Sequence, residues 1–174
     1  GANNGFVSTW YDQSGEAFNA TQTTPADQPK IVNAGTLVTS NGEPAIDFDG
    51  INHYLLNTSN IPYSGGLSWY GVTHLDAVAA GTRFWADDIT GVQGYTINYT
   101  GGTADVQVND NSGGFENIDT GSMVIVQGLA SFNFDDSTGD YEWARNGSNT
   151  TGSIVGWTGP IGGGTSNFAI MGAG

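Results

Sequence analysis

The chain contains no cysteine, which excludes disulfides, thiolate nucleophiles and thiolate metal sites. Positive charge is almost as scarce. Lys30, Arg83 and Arg145 are the only basic residues against 17 acidic ones, giving a net charge of -14. Nucleic acids and anionic membrane surfaces are held by clustered Lys and Arg, so neither is an expected partner. No run of 18 apolar residues occurs, and nothing in the sequence reads as a membrane-spanning helix. Charged residues amount to 11%, against roughly 25% in an ordinary globular domain. The two histidines, His53 and His74, are too few for a three-histidine zinc site.

In place of charge the chain carries small polar residues: Gly, Thr, Asn and Ser make up 76 of the 174 residues. That composition favours turns and strands over helices. Apolar residues alternate with polar ones nearly throughout, the period of a strand with one wet face. Leu67, Trp69, Gly71 and Thr73 fall on one side of such a run, and Ser68, Tyr70, Val72 and His74 on the other. Ala130, Phe132 and Phe134 share a side, and Tyr141, Trp143 and Arg145 alternate with Glu142 and Ala144. Asn41-Gly42, Asp49-Gly50, Gly65-Gly66, Gly101-Gly102, Gly113-Gly114 and Asn146-Gly147 punctuate the runs as turns. The pattern predicts strands near 6–10, 30–38, 45–48, 53–57, 67–75, 83–87, 94–99, 103–108, 122–134, 140–145, 152–156 and 167–171. Many short strands without a helix predict an all-β chain, a two-sheet antiparallel β-sandwich filling residues 1–174 as one domain.

The order of motifs in the first third points further. Val7-Ser8-Thr9-Trp10-Tyr11-Asp12-Gln13-Ser14-Gly15 is followed by Gln28-Pro29-Lys30-Ile31-Val32, then by Gly42-Glu43-Pro44-Ala45-Ile46-Asp47-Phe48-Asp49-Gly50 and Tyr54-Leu55. This resembles the concanavalin A-like (laminin G-like) jelly-roll domains of secreted bacterial proteins and phage structural proteins. The Trp-Tyr-Asp-Gln-Ser-Gly piece is also similar to the start of the arabinofuranosidase B catalytic domain. The resemblance covers residues 6–56. It implies a concanavalin-like jelly roll with strands before the Trp10-Tyr11-Asp12-Gln13 motif and a last strand after the terminal glycine-rich turn, so that the chain is expected to be a segment of a longer protein with edge strands missing. The arabinofuranosidase resemblance implies a nucleophilic Glu after a strand like Arg83-Phe84-Trp85-Ala86. Here Asp87-Asp88-Ile89-Thr90 stands there instead. The family's acid, an Asp beyond a segment like Ile170-Met171-Gly172-Ala173-Gly174, has no counterpart in the sequence.

Two kinds of site are expected from the residues. Exposed aromatic rings suit the C–H face of a sugar, with Asn, Asp and amides around them fixing hydroxyls. Trp157, in the loop-like Gly156-Trp157-Thr158-Gly159-Pro160, is the first candidate. Trp85, Tyr95 and Tyr99 follow, near the Asp87-Asp88 turn. Trp10, Trp69 and Trp143 read as core, and His74 as packed within a strand. Asp135-Asp136-Ser137-Thr138-Gly139-Asp140 gathers Asp135, Asp136 and Asp140 within six residues, a possible set of hard oxygen ligands for calcium. The competing reading is that Asp and Asn close tight turns there, as Asp12, Gln13, Asp47 and Asp49 are expected to do elsewhere.

With no complete catalytic pair in view, the sequence leads to a noncatalytic, carbohydrate-binding or adhesion module at a virion or cell surface, such as a tail fibre, and not to an enzyme. The expected partners are a surface glycan or polysaccharide and neighbouring subunits or further copies of the chain. A purely architectural module and a fragment of a glycoside hydrolase are the alternatives. Two carboxylates facing each other across one cleft would favour the last.

Overall fold

The computed structural model describes residues 2–59, 61–62, 66–74, 82–87, 94–100, 103–109, 115–122, 128–157, 165–166 and 168–171. In chain order these form β1 (Gly5–Phe6), β2 (Thr9–Trp10), β3 (Ala20–Thr21), β4 (Lys30–Asn33), β5 (Thr36–Leu37), β6 (Thr39–Ser40), β7 (Glu43–Pro44), β8 (Tyr54–Leu56), β9 (Ile61–Pro62) and β10 (Leu67–Thr73). Then come β11 (Thr82–Asp87), β12 (Gly94–Thr100), β13 (Thr103–Asn109), β14 (Phe115–Ser122), β15 (Gly128–Asp135), β16 (Asp140–Arg145), β17 (Ser148–Ser153), β18 (Thr165–Ser166) and β19 (Phe168–Met171). One 3-10 turn, Pro25–Asp27, interrupts them. Among the described residues no helix is long and apolar enough to cross a membrane.

The two larger sheets are the layers of an antiparallel β-sandwich. One has eight strands in the order β14-β13-β12-β11-β19-β8-β3-β2, and the other has four in the order β10-β15-β16-β17. The expected all-β, two-sheet fold is what the chain adopts. Strict alternation builds the smaller sheet. Gly128, Ala130, Phe132 and Phe134 of β15 are buried while the residues between them face outward. Trp143 of β16 is buried opposite Phe132. Phe132 stacks on Phe134 with centroids 6.2 Å apart and lies 6.5 Å from the Trp143 ring. Val106 and Val108 of β13 and Leu55 of β8 are wholly buried on the larger sheet.

Asn-Gly turns set the registers. Asn146 and Gly147 both take positive φ, 47° and 85°, the geometry of a type I′ turn whose twist matches that of the flanking strands. The turn holds β16 and β17 in a register that runs from Arg145↔Ser148 to Asp140↔Ser153. Asn146 also accepts the Leu129 N–H at 2.9 Å, tying the turn to β15.

Several expectations change. Phe115–Ser122 is a strand although its Asn, Asp, Gly and Ser content hides it. β17 runs over Ser148–Ser153, not 152–156, because the turn imposes pairing on a segment with no apolar face. Of the run expected over 122–134, Ser122 ends β14 and Gly128–Phe134 lie in β15, with 123–127 outside the described residues, and of 45–48 only a single bridge from Asp47 to Lys30 remains. Trp10 is 47% exposed instead of core, since its two-residue strand ends the larger sheet and has a neighbour on one side only. His74 is exposed, not packed, with Nδ1 3.2 Å from Ser40 Oγ.

The acidic turns are structural, as expected. Asp12 accepts hydrogen bonds from the Ser14 hydroxyl and N–H and from the Phe18 N–H. One oxygen of Asp49 accepts the N–H groups of Ile51, Asn52 and His53 at 2.9–3.1 Å. The Asp49 N–H in turn donates to His53 Nδ1 at 3.1 Å, so the neutral ring carries its proton on Nε2, 3.5 Å from Asp49 Oδ2. Bonds from Ser14 hold the Asp12 carboxyl below its ordinary value. For Asp49, burial acts upward, and the three N–H bonds from Ile51, His53 and Asn52 outweigh it. A depressed carboxylate pKa means that the folded state binds fewer protons than the unfolded chain. Its contribution is therefore complete above the ordinary aspartate value of 3.8 and is lost as pH falls through the lower folded value. Asp49→Asn is accordingly expected to lower Tm at pH 6. Melting followed by circular dichroism should show the difference from wild type shrinking below pH 3.8.

Candidate functional site

A groove of about 560 Å³ crosses the outward face of the four-stranded sheet. Its walls follow from the register. One row of outward side chains holds Asp135, Asp140 and Ser153, and the next outward row holds Ser68, Asn133, Glu142 and Thr151. The intervening row, Phe134, Tyr141 and Gly152, turns its side chains inward and gives the groove its floor. Asp140 and Glu142 stand two residues apart on one strand, so they belong to the two outward rows on either side of the groove, their Cα atoms about 6.8 Å apart. Among the described residues no Lys, Arg or His lines the groove.

Each carboxylate has a defined partner. The Ser153 hydroxyl donates to Asp140 Oδ1, and Asn149 Nδ2 donates to Glu142 Oε1 at 3.1 Å. Asp135 is occupied by its own turn: its Oδ1 accepts the Ser137 hydroxyl at 2.6 Å and the Ser137 N–H at 2.9 Å. Those bonds, the hydroxyl's first, hold the Asp135 carboxyl below its ordinary value. Asp135 thereby serves its own turn, whereas Asp140 and Glu142 are bonded to side chains of β17. On the Glu142 side the Tyr70 hydroxyl donates to Asn133 Oδ1 at 3.1 Å, binding an exposed aromatic ring to the wall.

The sequence-derived candidates are distributed differently. Trp157 is half-buried in the fold and is not a free platform. Its Nε1 donates to the Asp136 carbonyl at 2.8 Å, and its ring meets Phe134 edge-on at 5.1 Å. Gly139, at φ 77°, makes room for it, since a Cβ there would lie 2.7 Å from the Trp157 Cβ. Trp85 and Asp87 lie on β11, Tyr95 and Tyr99 on β12, with Tyr95 paired to Val108 and Tyr99 to Ala104. The side chains of those four, and Asp88 altogether, lie outside the described residues. The three calcium candidates do not converge. Asp136, in the turn that follows β15, is buried while Asp135 and Asp140 face outward. Among the described residues no group of three His, Cys, Asp or Glu side chains is placed to hold a metal ion.

Glu142, which lines the groove, and Tyr70, bonded to its wall residue Asn133, are not among the sequence-derived candidates. Alternation already set Glu142 opposite to Trp143 in direction. What a linear reading lacks is the register that brings residues 68, 133, 142 and 151 side by side.

Comparison with known proteins adds a likeness at the level of the sandwich. No family model and no curated protein matches the chain. Among solved structures, the alginate lyase from Alteromonas sp. 272 is similar, with 14% identity and a TM-score of 0.42. A polysaccharide lyase family 18 structure is similar with 15% identity and the same TM-score. Each likeness covers 79% of this chain, which spans 64% of the length of either lyase. These neighbours, named as lyases, correct the expectation of a noncatalytic adhesion module. At this identity they bring no activity to the chain, and its chemistry rests on the residues of the groove.

Proposed function

We propose that the chain hydrolyses a neutral polysaccharide, with Asp140 and Glu142 as the working carboxylates. The observation that carries this reading is their placement on opposite walls of one open groove. Glycosidic hydrolysis needs two carboxyl groups flanking the bond, and a separation of roughly 6.5–9.5 Å leaves room for a water on the far face of the sugar. Glu142, the less exposed of the two, donates a proton to the glycosidic oxygen as its bond to the sugar breaks. Asp140, open to solvent, takes a proton from the water that attacks the sugar carbon. Asn149 and Ser153 orient the two carboxylates, and Asn133, Thr151 and Ser68 supply amide and hydroxyl groups for the sugar hydroxyls.

Electrostatics select the substrate class. Three carboxylates and no cation line the groove of a chain with net charge -14. An anionic polysaccharide would be repelled, and elimination from a uronate would find no cation to neutralise the sugar carboxylate. The test is release of reducing ends from a panel of neutral polysaccharides (glucans, xylan, arabinan, galactan, mannan) beside anionic ones. Cleavage of a neutral member is the expected result. No cleavage of any member, or an unsaturated, ultraviolet-absorbing product from an anionic one, would overturn the reading.

A further inference from the structure

Two amides flank Glu142, and they are engaged differently. Asn133 is its register partner on β15, yet the Asn133 amide oxygen accepts the Tyr70 hydroxyl at 3.1 Å. Asn149 stands diagonally across on β17, where it pairs with Ala144 while Thr151 pairs with Glu142. Its Nδ2 donates to Glu142 Oε1 at 3.1 Å, and among the described residues no second hydrogen bond reaches the Glu142 carboxyl. Glu142 lines the groove and Asn149 does not. The bond therefore draws Oε1 toward the Asn149 row and leaves Oε2 as the oxygen available to a ligand.

We infer that Asn149 is the positioning residue of the proton transfer: it reserves Oε2 of Glu142 for the proton and holds the charge that the transfer leaves behind. The inference rests on the hydrolase reading and adds to orientation a part in the reaction step. In the acid form, an N–H bonded to Oε1 makes that oxygen the carbonyl, so the proton sits on Oε2. As the glycosidic bond breaks, the Oε2–H bond breaks with it. The proton goes to the departing oxygen, and the electron pair stays on the carboxyl group. Asp140 meanwhile takes a proton from the attacking water, so negative charge passes from Asp140 to Glu142. A hydrogen bond to an ionised acceptor is roughly twice as strong as one between neutral groups. The Asn149 bond thus gains strength in step with the reaction, which lowers the barrier where uniform binding would not. Strand pairing already holds the donor in place, since β17 is in register with β16 from Arg145↔Ser148 to Asp140↔Ser153, and little reorganisation is needed.

The experiment sets the shortest neutral oligosaccharide that is cleaved beside the dinitrophenyl glycoside of the same sugar, whose leaving group departs without a proton. Asn149 is at an exposed strand position, so Asn149→Ala and Asn149→Asp are expected to fold. Each should lower kcat on the oligosaccharide about 10- to 100-fold, the weight of one hydrogen bond to a charged group, with KM little changed. On the dinitrophenyl glycoside the loss should be far smaller, so that the ratio of the two rates shifts by nearly the whole factor. Asn149→Asp is the sharper variant, because it keeps the size of the side chain and replaces the donor by an acceptor. In a Glu142→Gln background, Asn149→Ala should cost nothing further. Equal losses on both substrates would mean that Asn149 only supports the strand, and would overturn the inference. Wild-type kcat in Asn149→Asp would do the same. Neither outcome touches the hydrolase reading, which Glu142→Gln tests by itself. If wild type cleaves neither substrate, the hydrolase reading fails and the inference falls with it.

Discussion

Glu142→Gln is expected to lower kcat on the neutral polysaccharide by about 10²- to 10⁴-fold, the usual contribution of a positioned proton donor. Gln keeps the length of the side chain and an oxygen that can still accept from Asn149 Nδ2, as Glu142 does. It cannot supply the proton. The variant should therefore keep wild-type Tm and substrate binding, so that the loss appears in kcat with KM little changed. Asp140→Asn should show a comparable loss with one difference. An external nucleophile such as azide, which needs no general base, should restore turnover in Asp140→Asn and not in Glu142→Gln. Full activity in either variant would remove that residue from the chemistry. A loss of Tm alongside activity would point to a structural role. Asp135→Asn supplies the contrast, since its oxygen serves the Ser137 turn; it should reduce stability and leave kcat largely in place.

Phe132→Ala carries the largest expected effect on stability. Phe132 is wholly buried at the centre of the smaller sheet, against Phe134 and Trp143. Truncating a buried Phe removes its transfer free energy and leaves a cavity, about 3–5 kcal/mol together. For a chain of this size that amounts to a fall in Tm of about 6–20 °C, read by calorimetry or circular dichroism. Activity measured below the transition should survive, because the groove lies on the other face of the same strands. A change below 1 kcal/mol would mean that the ring is not packed as described. The contrast with Glu142→Gln is direct: one variant loses stability and keeps chemistry, the other does the reverse.

Much of this architecture can be read from the residues. The alternation in Leu129–Asp135 and Tyr141–Arg145 separates inward from outward side chains without a structure, and Asn146-Gly147 places the hairpin between β16 and β17. The acidic turns at Asp12 and Asp49 are equally legible, since short carboxylates close turns by accepting nearby N–H groups. Other parts are hidden for physical reasons. Ser148–Ser153 has no apolar face and becomes a strand through its pairing with β16. Phe115–Ser122 is likewise set by pairing with β13. Trp10 reads as core from its alternating surroundings, yet its exposure depends on its place at the end of a sheet.

The candidate site was the least legible part. Asp140 stands out as one of a run of carboxylates, a pattern that suggests a cation. Its proposed counterpart, Glu142, looks like an ordinary outward residue of an amphipathic strand. The groove exists because β10, β15, β16 and β17 lie side by side in one register, a long-range property that no local motif encodes. Trp157 shows the opposite error. A tryptophan among glycines resembles an exposed platform, but Gly139 opens a space into which it folds back, and its N–H is bound by the Asp136 carbonyl.

The most direct test of the account is the anomeric configuration of the sugar released at the moment of cleavage, followed by proton NMR on the neutral polysaccharide identified in the panel. An acid at Glu142 and a base at Asp140, with water entering from the Asp140 side, predict inversion. Appearance first of the retained anomer would contradict the assignment of Asp140 and Glu142 as an acid and base acting across the groove.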